Sequence, residues 1–143
     1  PQLTEIIAKN KRKEANKFAF KVSIISAFVV APIVLILGST SYWWLGLVFG
    51  EQFSSGWFPL LLYLIVKFFE FSANPIHPLF TALGYIKQGT IIFLISSVIY
   101  LFSAWQIGLL LGLIGVILAN GIEALVFTTL KLLYLWKKEF NTA

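Results

Sequence analysis

Four long apolar segments constrain the fold of this chain more than any other feature of its sequence. They cover about residues 18–38, 57–84, 88–105 and 113–136, and an α-helix needs about 20 mainly apolar residues to cross the hydrocarbon core of a bilayer. The mean hydropathy of the 143 residues is +0.88, far above that of an ordinary soluble domain. We therefore expect an all-α fold, a polytopic membrane helix bundle of four transmembrane helices over residues 18–139.

Short connections complete this organisation. Residues 38–40, Gly-Ser-Thr, are expected to end the first span, and residues 41–56, which open with a Tyr-Trp-Trp run after Ser41, to form a short interfacial helix. The glycine-rich residues 105–112 should connect the last two spans. Gly108 and Gly112 stand there in GxxxG spacing, which allows helices to approach closely.

The basic residues set the expected orientation. Residues 1–17 form a basic segment, Lys87 lies between the second and third spans, and Lys137 and Lys138 precede the tail at residues 140–143. The other two connections contain no Lys or Arg, so the positive-inside rule places both termini in the cytoplasm. The net charge of +5 is thus explained by topology, and we expect no nucleic acid as a partner.

The second span carries an unusual polar stripe. At about 100° per residue its polar side chains fall within an arc of roughly 80°. Ionisable groups at mid-bilayer depth cost about 2.5–3.5 kcal/mol each and almost always face a bundle interior or a wet cavity. We therefore expect the stripe to line a polar pathway, with these members: Tyr63, Lys67, Glu70, Asn74, His77 and Thr81.

The fourth span has polar residues of its own. Asn120 and Glu123 lie near its middle, and Lys131 lies on the same face towards its end. A carboxylate at mid-span is a functional candidate, although a hydrogen-bonded structural glutamate is the alternative. Asn120 and Glu123 are the expected partners of the stripe on the second span.

Three prolines predict distortions of the spans. Pro32 should kink the first helix, and Pro75 and Pro78 should bend or locally unwind the second, because proline removes a backbone hydrogen bond and clashes with the preceding turn. Such breaks occur where transporters bind or gate, but purely structural kinks are common as well.

The polar residues leave two interpretations open. Lys67 and Glu70 have i, i+3 spacing and can neutralise each other as an ion pair that needs no ligand. Alternatively, Lys67 or His77 binds an anionic headgroup, and Glu70 or Glu123 carries a cation or proton.

Catalysis has little support in the sequence. The chain contains no Cys, no Asp and a single His, which leaves few groups for a catalytic triad or a metal centre. Nothing in the spacing of His77, Glu70 and Glu123 forces them to converge on a metal. We expect neither an enzyme nor a cofactor.

Several segments resemble a known family. LVFGEQF (residues 47–53), PLFTALGYIKQG (residues 78–89) and GLIGVILA (residues 112–119) are similar to the C-terminal region of bacterial polysaccharide flippases, which belong to the multidrug/oligosaccharidyl-lipid/polysaccharide exporter superfamily. The resemblance covers nearly the whole chain but offers no catalytic residues to carry over.

The resemblance implies a function. It predicts part of a transporter that flips a lipid-linked oligosaccharide or polysaccharide precursor across the bacterial cytoplasmic membrane, with membrane lipid and the lipid-linked sugar as partners. The chain begins at Pro1 and has no Met, so we expect the remaining helices of a longer parent chain as further partners. Two alternatives remain: an ion-coupled multidrug exporter of the same superfamily, or a small four-helix scaffold or partner subunit with no transport role.

Overall fold

The computed structural model describes residues 12–139, which are helical apart from short turns. Four helical stretches are long and apolar enough to cross a membrane, so the predicted all-α bundle with four spans is confirmed. Residues 1–11 of the predicted basic segment and tail residues 140–143 lie outside the described part of the chain. The elements in chain order are α1 (Arg12–Phe49), a 3₁₀ helix (Glu51–Gly56), α2 (Trp57–Ala73), α3 (Ile76–Ala82), α4 (Ile86–Leu111) and α5 (Leu113–Glu139).

The first helix is longer than the sequence predicts. The helix α1 does not end at residues 38–40 but continues to Phe49, which gives it a total length of 38 residues. The short helix predicted over residues 41–56 is reduced to the 3₁₀ helix at Glu51–Gly56. The hydroxyls of Ser39 and Thr40 both donate to the carbonyl of Ile36 within the same helix. Because these side chains bond back to the helix, they do not compete with it. Pro32, where a kink is predicted, lies inside this continuous helix.

The second span is interrupted where the two prolines predict a distortion. The helix α2 ends at Ala73, and α3 begins at Ile76. Across the break, the Asn74 N–H donates to the Phe71 carbonyl and the His77 N–H donates to the Asn74 carbonyl, at 3.3 and 3.0 Å. These three-residue bonds form a tight turn around Pro75, which has no N–H to donate.

A one-residue turn joins the last two spans. The sequence predicts a loop over residues 105–112, but α4 continues to Leu111, and only Gly112, with φ +59°, separates it from α5. A Cβ at Gly115 would overlap the backbone carbonyl of Ile107 in α4. The absence of a side chain at Gly115 therefore lets the two antiparallel helices pack backbone against backbone.

The helices α2 and α5 occupy the centre of the bundle. The main helix interfaces join α1 to α2, α2 to α5 and α5 to α4. At the α2–α5 interface, Val66 is buried, and a Cβ added to Gly121 would lie 3.2 Å from its Cγ2 atom. This close packing brings the polar residues of the second and fourth spans next to each other.

The buried core lies around the short helix α3. Leu79, Phe80 and Leu83 are the main contributions of this segment. The ring of Phe80 lies 5.9 Å from that of Tyr85 and 5.7 Å from that of Tyr134. Thus α3 connects α1, α4 and α5 at one end of the bundle, through contacts with Ala15, Ala19, Ile92 and Leu135.

The outward surfaces of the spans are apolar. Phe28, Leu47 and Leu110 are exposed over more than three quarters of their surface. Such a surface suits acyl chains, against which backbone polar groups must be satisfied within helices. The fold is that of a multi-pass membrane protein.

Candidate functional site

Polar side chains of α2, α3 and α5 meet along the centre of the bundle. We call this group the polar seam. It contains two contacts, one near the middle of the second span and one beyond its break. The members are Lys67, Glu70, His77, Asn120, Glu123 and Lys131.

The first contact is an ion pair within α2. The Nζ atom of Lys67 lies 2.5 Å from Oε2 of Glu70, and the two side chains are 24% and 45% exposed. The same ammonium group lies 5.3 Å from the ring centre of Tyr63, and Glu123 of α5 acts on it electrostatically. Glu70 is therefore the carboxylate bonded to Lys67, and Glu123 acts on the lysine only at longer range.

A cleft opens beside this ion pair. Its volume is about 570 Å³, and its polar lining comes from Tyr63 and Lys67 of α2, Tyr100 of α4 and Asn120 of α5. The Oδ1 atom of Asn120 is buried without a hydrogen-bond partner within residues 12–139. A buried acceptor of this kind is costly unless a donor satisfies it. The cleft therefore has a largely apolar lining with a cation and two phenol rings, and a buried acceptor lies in one of its lining residues.

The second contact joins α3 to α5. The Nζ atom of Lys131 lies 2.7 Å from Nδ1 of His77. The ammonium group also lies 4.1 and 5.2 Å from the ring centres of Phe127 and Phe80, and the imidazole stacks on Phe127 at 4.8 Å. With the ammonium as donor, the imidazole is neutral and carries its proton on Nε2.

The predicted stripe does not stay together. The break at Asn74 and Pro75 separates the Lys67–Glu70 pair from His77, which contacts Lys131 instead. Asn74 is exposed and lines an apolar groove of about 520 Å³ against α1. The stripe rests on an uninterrupted helical period, and the tight turn at the prolines ends that period.

The other predicted residues lie along the seam. Asn120 lines the same cleft as Lys67, and Glu123 lies within electrostatic range of that lysine. Tyr63 also lines this cleft, whereas Thr81 lines a second cavity beside His77. Both central helices therefore contribute to the site, as the sequence leads one to expect.

Two residues of the site are missed by reasoning from local spacing. Tyr100 lines the cleft from α4, a span for which the sequence gives no candidate site residue. Lys131 is the partner of His77, 54 residues away. The depth of each residue along its span could have indicated this pairing. His77 lies 20 residues after the start of α2 at Trp57, and Lys131 lies 18 residues after the start of α5 at Leu113.

The chain is a multi-pass membrane protein whose central helices carry this polar seam. Among the described residues, no three His, Cys, Asp or Glu side chains come together to hold a metal ion. Comparison with protein-family models, curated proteins and solved structures finds no match to the chain. The function is therefore argued from the site itself.

Proposed function

We propose that the chain is part of a membrane transporter that flips a lipid-linked oligosaccharide or polysaccharide precursor across the cytoplasmic membrane. The observation that carries the proposal is the cleft of about 570 Å³ lined by Tyr63, Lys67, Tyr100 and Asn120 within otherwise apolar spans. The similarity of residues 47–53, 78–89 and 112–119 to polysaccharide flippases supports the same function.

The lining of the cleft suits a sugar phosphate. Phenol rings such as those of Tyr63 and Tyr100 offer flat apolar faces with a polar edge, which suit the faces and hydroxyls of a sugar ring. The side-chain amide of Asn120, which also lines the cleft, can form a hydrogen bond with a sugar hydroxyl. Lys67 supplies the positive charge for a pyrophosphate. The volume of the cleft, about 570 Å³, lies within the range of about 300–1,000 Å³ usual for ligand pockets.

The ion pair explains how such a site remains stable when empty. Glu70 neutralises Lys67 before the substrate arrives, which lowers the cost of holding a lysine at this depth. An incoming phosphate replaces the carboxylate as the partner of the ammonium group. The displaced Glu70 carboxylate must then take up a proton or another cation, so that no isolated charge is left in the membrane.

We place both termini on the cytoplasmic side. The even number of spans puts the termini on one side of the membrane. The turn containing Lys87 and the end of α5 with Lys137 and Lys138 are the basic ends of the spans. On this orientation, the cleft opens nearer the outer side and the His77–Lys131 contact lies nearer the cytoplasm.

The decisive experiment compares Lys67→Gln, Glu70→Gln and the double variant in cells that make the polysaccharide. If Lys67 binds substrate, surface polysaccharide falls in Lys67→Gln, and the double variant does not recover. If the pair is only structural, removing both charges restores the wild-type level, and that result contradicts the proposal. Lys87→Gln removes one charge from an exposed turn residue and serves as the control, with membrane protein levels measured for every variant.

One observation favours the ion-coupled exporter as a second candidate. Glu70 and Glu123 both interact with Lys67, so one of the two carboxylates can exchange a proton or cation while the other keeps the lysine neutralised. For this function, the combined Glu70→Gln and Glu123→Gln change abolishes proton-driven drug efflux. Unchanged efflux in the double variant would exclude it.

A further inference from the structure

The two lysines within the spans are neutralised in different ways. Lys67 has a carboxylate partner in Glu70, whereas Lys131 is held by the imidazole of His77 and by two aromatic rings. The side chain of Lys131 is only 5% exposed. Over residues 12–139, no carboxylate lies within ion-pair distance of Lys131. The buried ammonium group therefore lacks a counter-charge among the side chains that the structure describes.

Glu70, which acts on the partner of Lys131, does not supply this counter-charge. Glu70 acts electrostatically on His77, but its Oε2 atom is bonded to Lys67. Neutral ring faces and a neutral imidazole stabilise an ammonium group only partly, and burying an unpaired charge is expensive. The arrangement around Lys131 is complete only when an anion joins it.

A cavity lies beside this ammonium group. It has a volume of about 310 Å³ and lies between α3, the first turn of α4 and α5. Lys131 and His77 both line it, together with Thr81 and Thr90. The two threonine hydroxyls already donate to the carbonyls of His77 and Ile86 within their own helices. The donors of the lining side chains include the ammonium protons of Lys131 and the Nε2–H of His77.

The surroundings add further positive potential. The first turn of α4, which includes Ile86, Gly89 and Thr90, forms one wall of the cavity. The amino end of this 26-residue helix carries a partial positive charge. Lys137 and Lys138 end α5 at this end of the bundle, as expected where spans reach the lipid headgroups.

We propose that the cavity of His77 and Lys131 binds a phosphate group, supplied at this depth by the headgroup of an anionic lipid. The phosphate oxygens accept hydrogen bonds from Lys131 and from Nε2 of His77 and provide the missing counter-charge. A zwitterionic lipid brings its own cation with the phosphate and leaves Lys131 less well compensated. This site does not depend on the proposed transport, because none of its lining residues lines the cleft of Lys67.

Native mass spectrometry of the full chain in detergent tests the proposal with four probes. These are phosphatidic acid, phosphatidylglycerol, phosphatidylcholine and inorganic phosphate. We expect the two anionic lipids to bind and phosphatidylcholine to bind at least about tenfold more weakly. Equal binding of phosphatidylcholine would overturn the proposal. If inorganic phosphate binds and the anionic lipids do not, the cavity is still a phosphate site, but the proposal that a lipid headgroup supplies the phosphate is wrong.

Charge variants locate the site. Lys131→Gln should weaken binding of the anionic lipids about tenfold or more, while Lys131→Arg keeps the charge and binds within about twofold of wild type. Lys87→Gln removes an exposed charge from the same end of the bundle and is the matched control, expected within about twofold. Equal losses in Lys131→Gln and Lys87→Gln would show diffuse attraction to a basic surface and contradict the site.

A measurement on the wild-type chain covers the case in which Lys131→Gln does not fold. Solid-state NMR of lysine labelled with nitrogen-15 at Nζ, in bilayers of phosphatidylglycerol, reports which ammonium groups lie beside phosphorus. The resonance of Lys131 should show a short nitrogen–phosphorus distance. It should lose this coupling in phosphatidylcholine bilayers, and the absence of any coupling at Lys131 in phosphatidylglycerol would overturn the proposal.

Discussion

Replacing Gly115 with alanine tests whether α4 and α5 pack backbone against backbone. The added Cβ would overlap the carbonyl of Ile107 and approach the amide of Gly108. Backbone atoms in a helix cannot move aside as a side chain does, so the two helices must separate by about 1 Å to restore van der Waals distances. Overpacking of this kind costs about 1–3 kcal/mol of the free energy of unfolding.

The same substitution at two other helical glycines gives matched controls. In a helix interior, alanine is favoured over glycine by about 0.5–1 kcal/mol. At Gly89, the new Cβ would lie 3.6 Å from Cδ1 of Phe80, an ordinary contact, so Gly89→Ala should show this gain. At Gly121, the nearest atom is Cγ2 of Val66 at 3.2 Å. A small shift of that side chain should offset the gain and leave Gly121→Ala near zero.

Reversible unfolding in mixed micelles, followed by helical circular dichroism, measures the three free energies on one scale. The expected order of stability is Gly89→Ala, then Gly121→Ala and wild type together, then Gly115→Ala. If Gly115→Ala were as stable as Gly89→Ala, the close approach of α4 and α5 would be wrong. The comparison controls for helix propensity because the chemical change is identical at each position.

Three further predictions follow from other parts of the fold. Because Phe80 is 1% exposed at the centre of the core around α3, Phe80→Ala should lower the free energy of unfolding by about 3–5 kcal/mol, measured in the same micelles; a cost below 1 kcal/mol would contradict the core. In a double-mutant cycle on unfolding, Lys67→Gln and Glu70→Gln should show a coupling of at least about 1 kcal/mol, because a pair within an apolar span is screened less than a surface pair in water; zero coupling would contradict the ion pair. The chain has no cysteine, so single cysteines introduced at Gln52 and Lys87 can report topology. A membrane-impermeant thiol reagent should label the cysteine at position 52 in intact cells and the cysteine at position 87 only after permeabilisation. The reverse labelling pattern would contradict the proposed orientation.

The spans could be predicted from sequence because the bilayer imposes them. The length of about 20 apolar residues is set by the thickness of the hydrocarbon core and does not depend on which helices are neighbours. The distortion at Pro75 could be predicted for a similar reason, since proline lacks an N–H in any surroundings. These features depend on the local chain and its solvent alone.

Local signals failed where they allow two outcomes. Ser39 and Thr40 can either end a helix or bond back to it, and in α1 both hydroxyls bond to the carbonyl of Ile36. A glycine-rich segment can form a loop or a close helix contact. In this chain, Gly112 alone forms the turn, while Gly115 serves the contact between α4 and α5. Tertiary packing decides between these outcomes, and the sequence pattern is the same for both.

The partner of a charged group in the membrane is the least local property of all. Lys67 finds Glu70 three residues away, so helical spacing predicts the pair directly. His77 and Lys131 are separated by 54 residues and meet only because α5 packs beside the second span. Once it is known that α2 and α5 pack together at the centre, His77 and Lys131 can be paired because they lie at similar depths along their spans. By the same reasoning, Lys131 lies nearer one end of the bundle than the Lys67–Glu70 pair does. The uncompensated charge of Lys131, on which the proposed phosphate site depends, is therefore a consequence of which helices pack side by side.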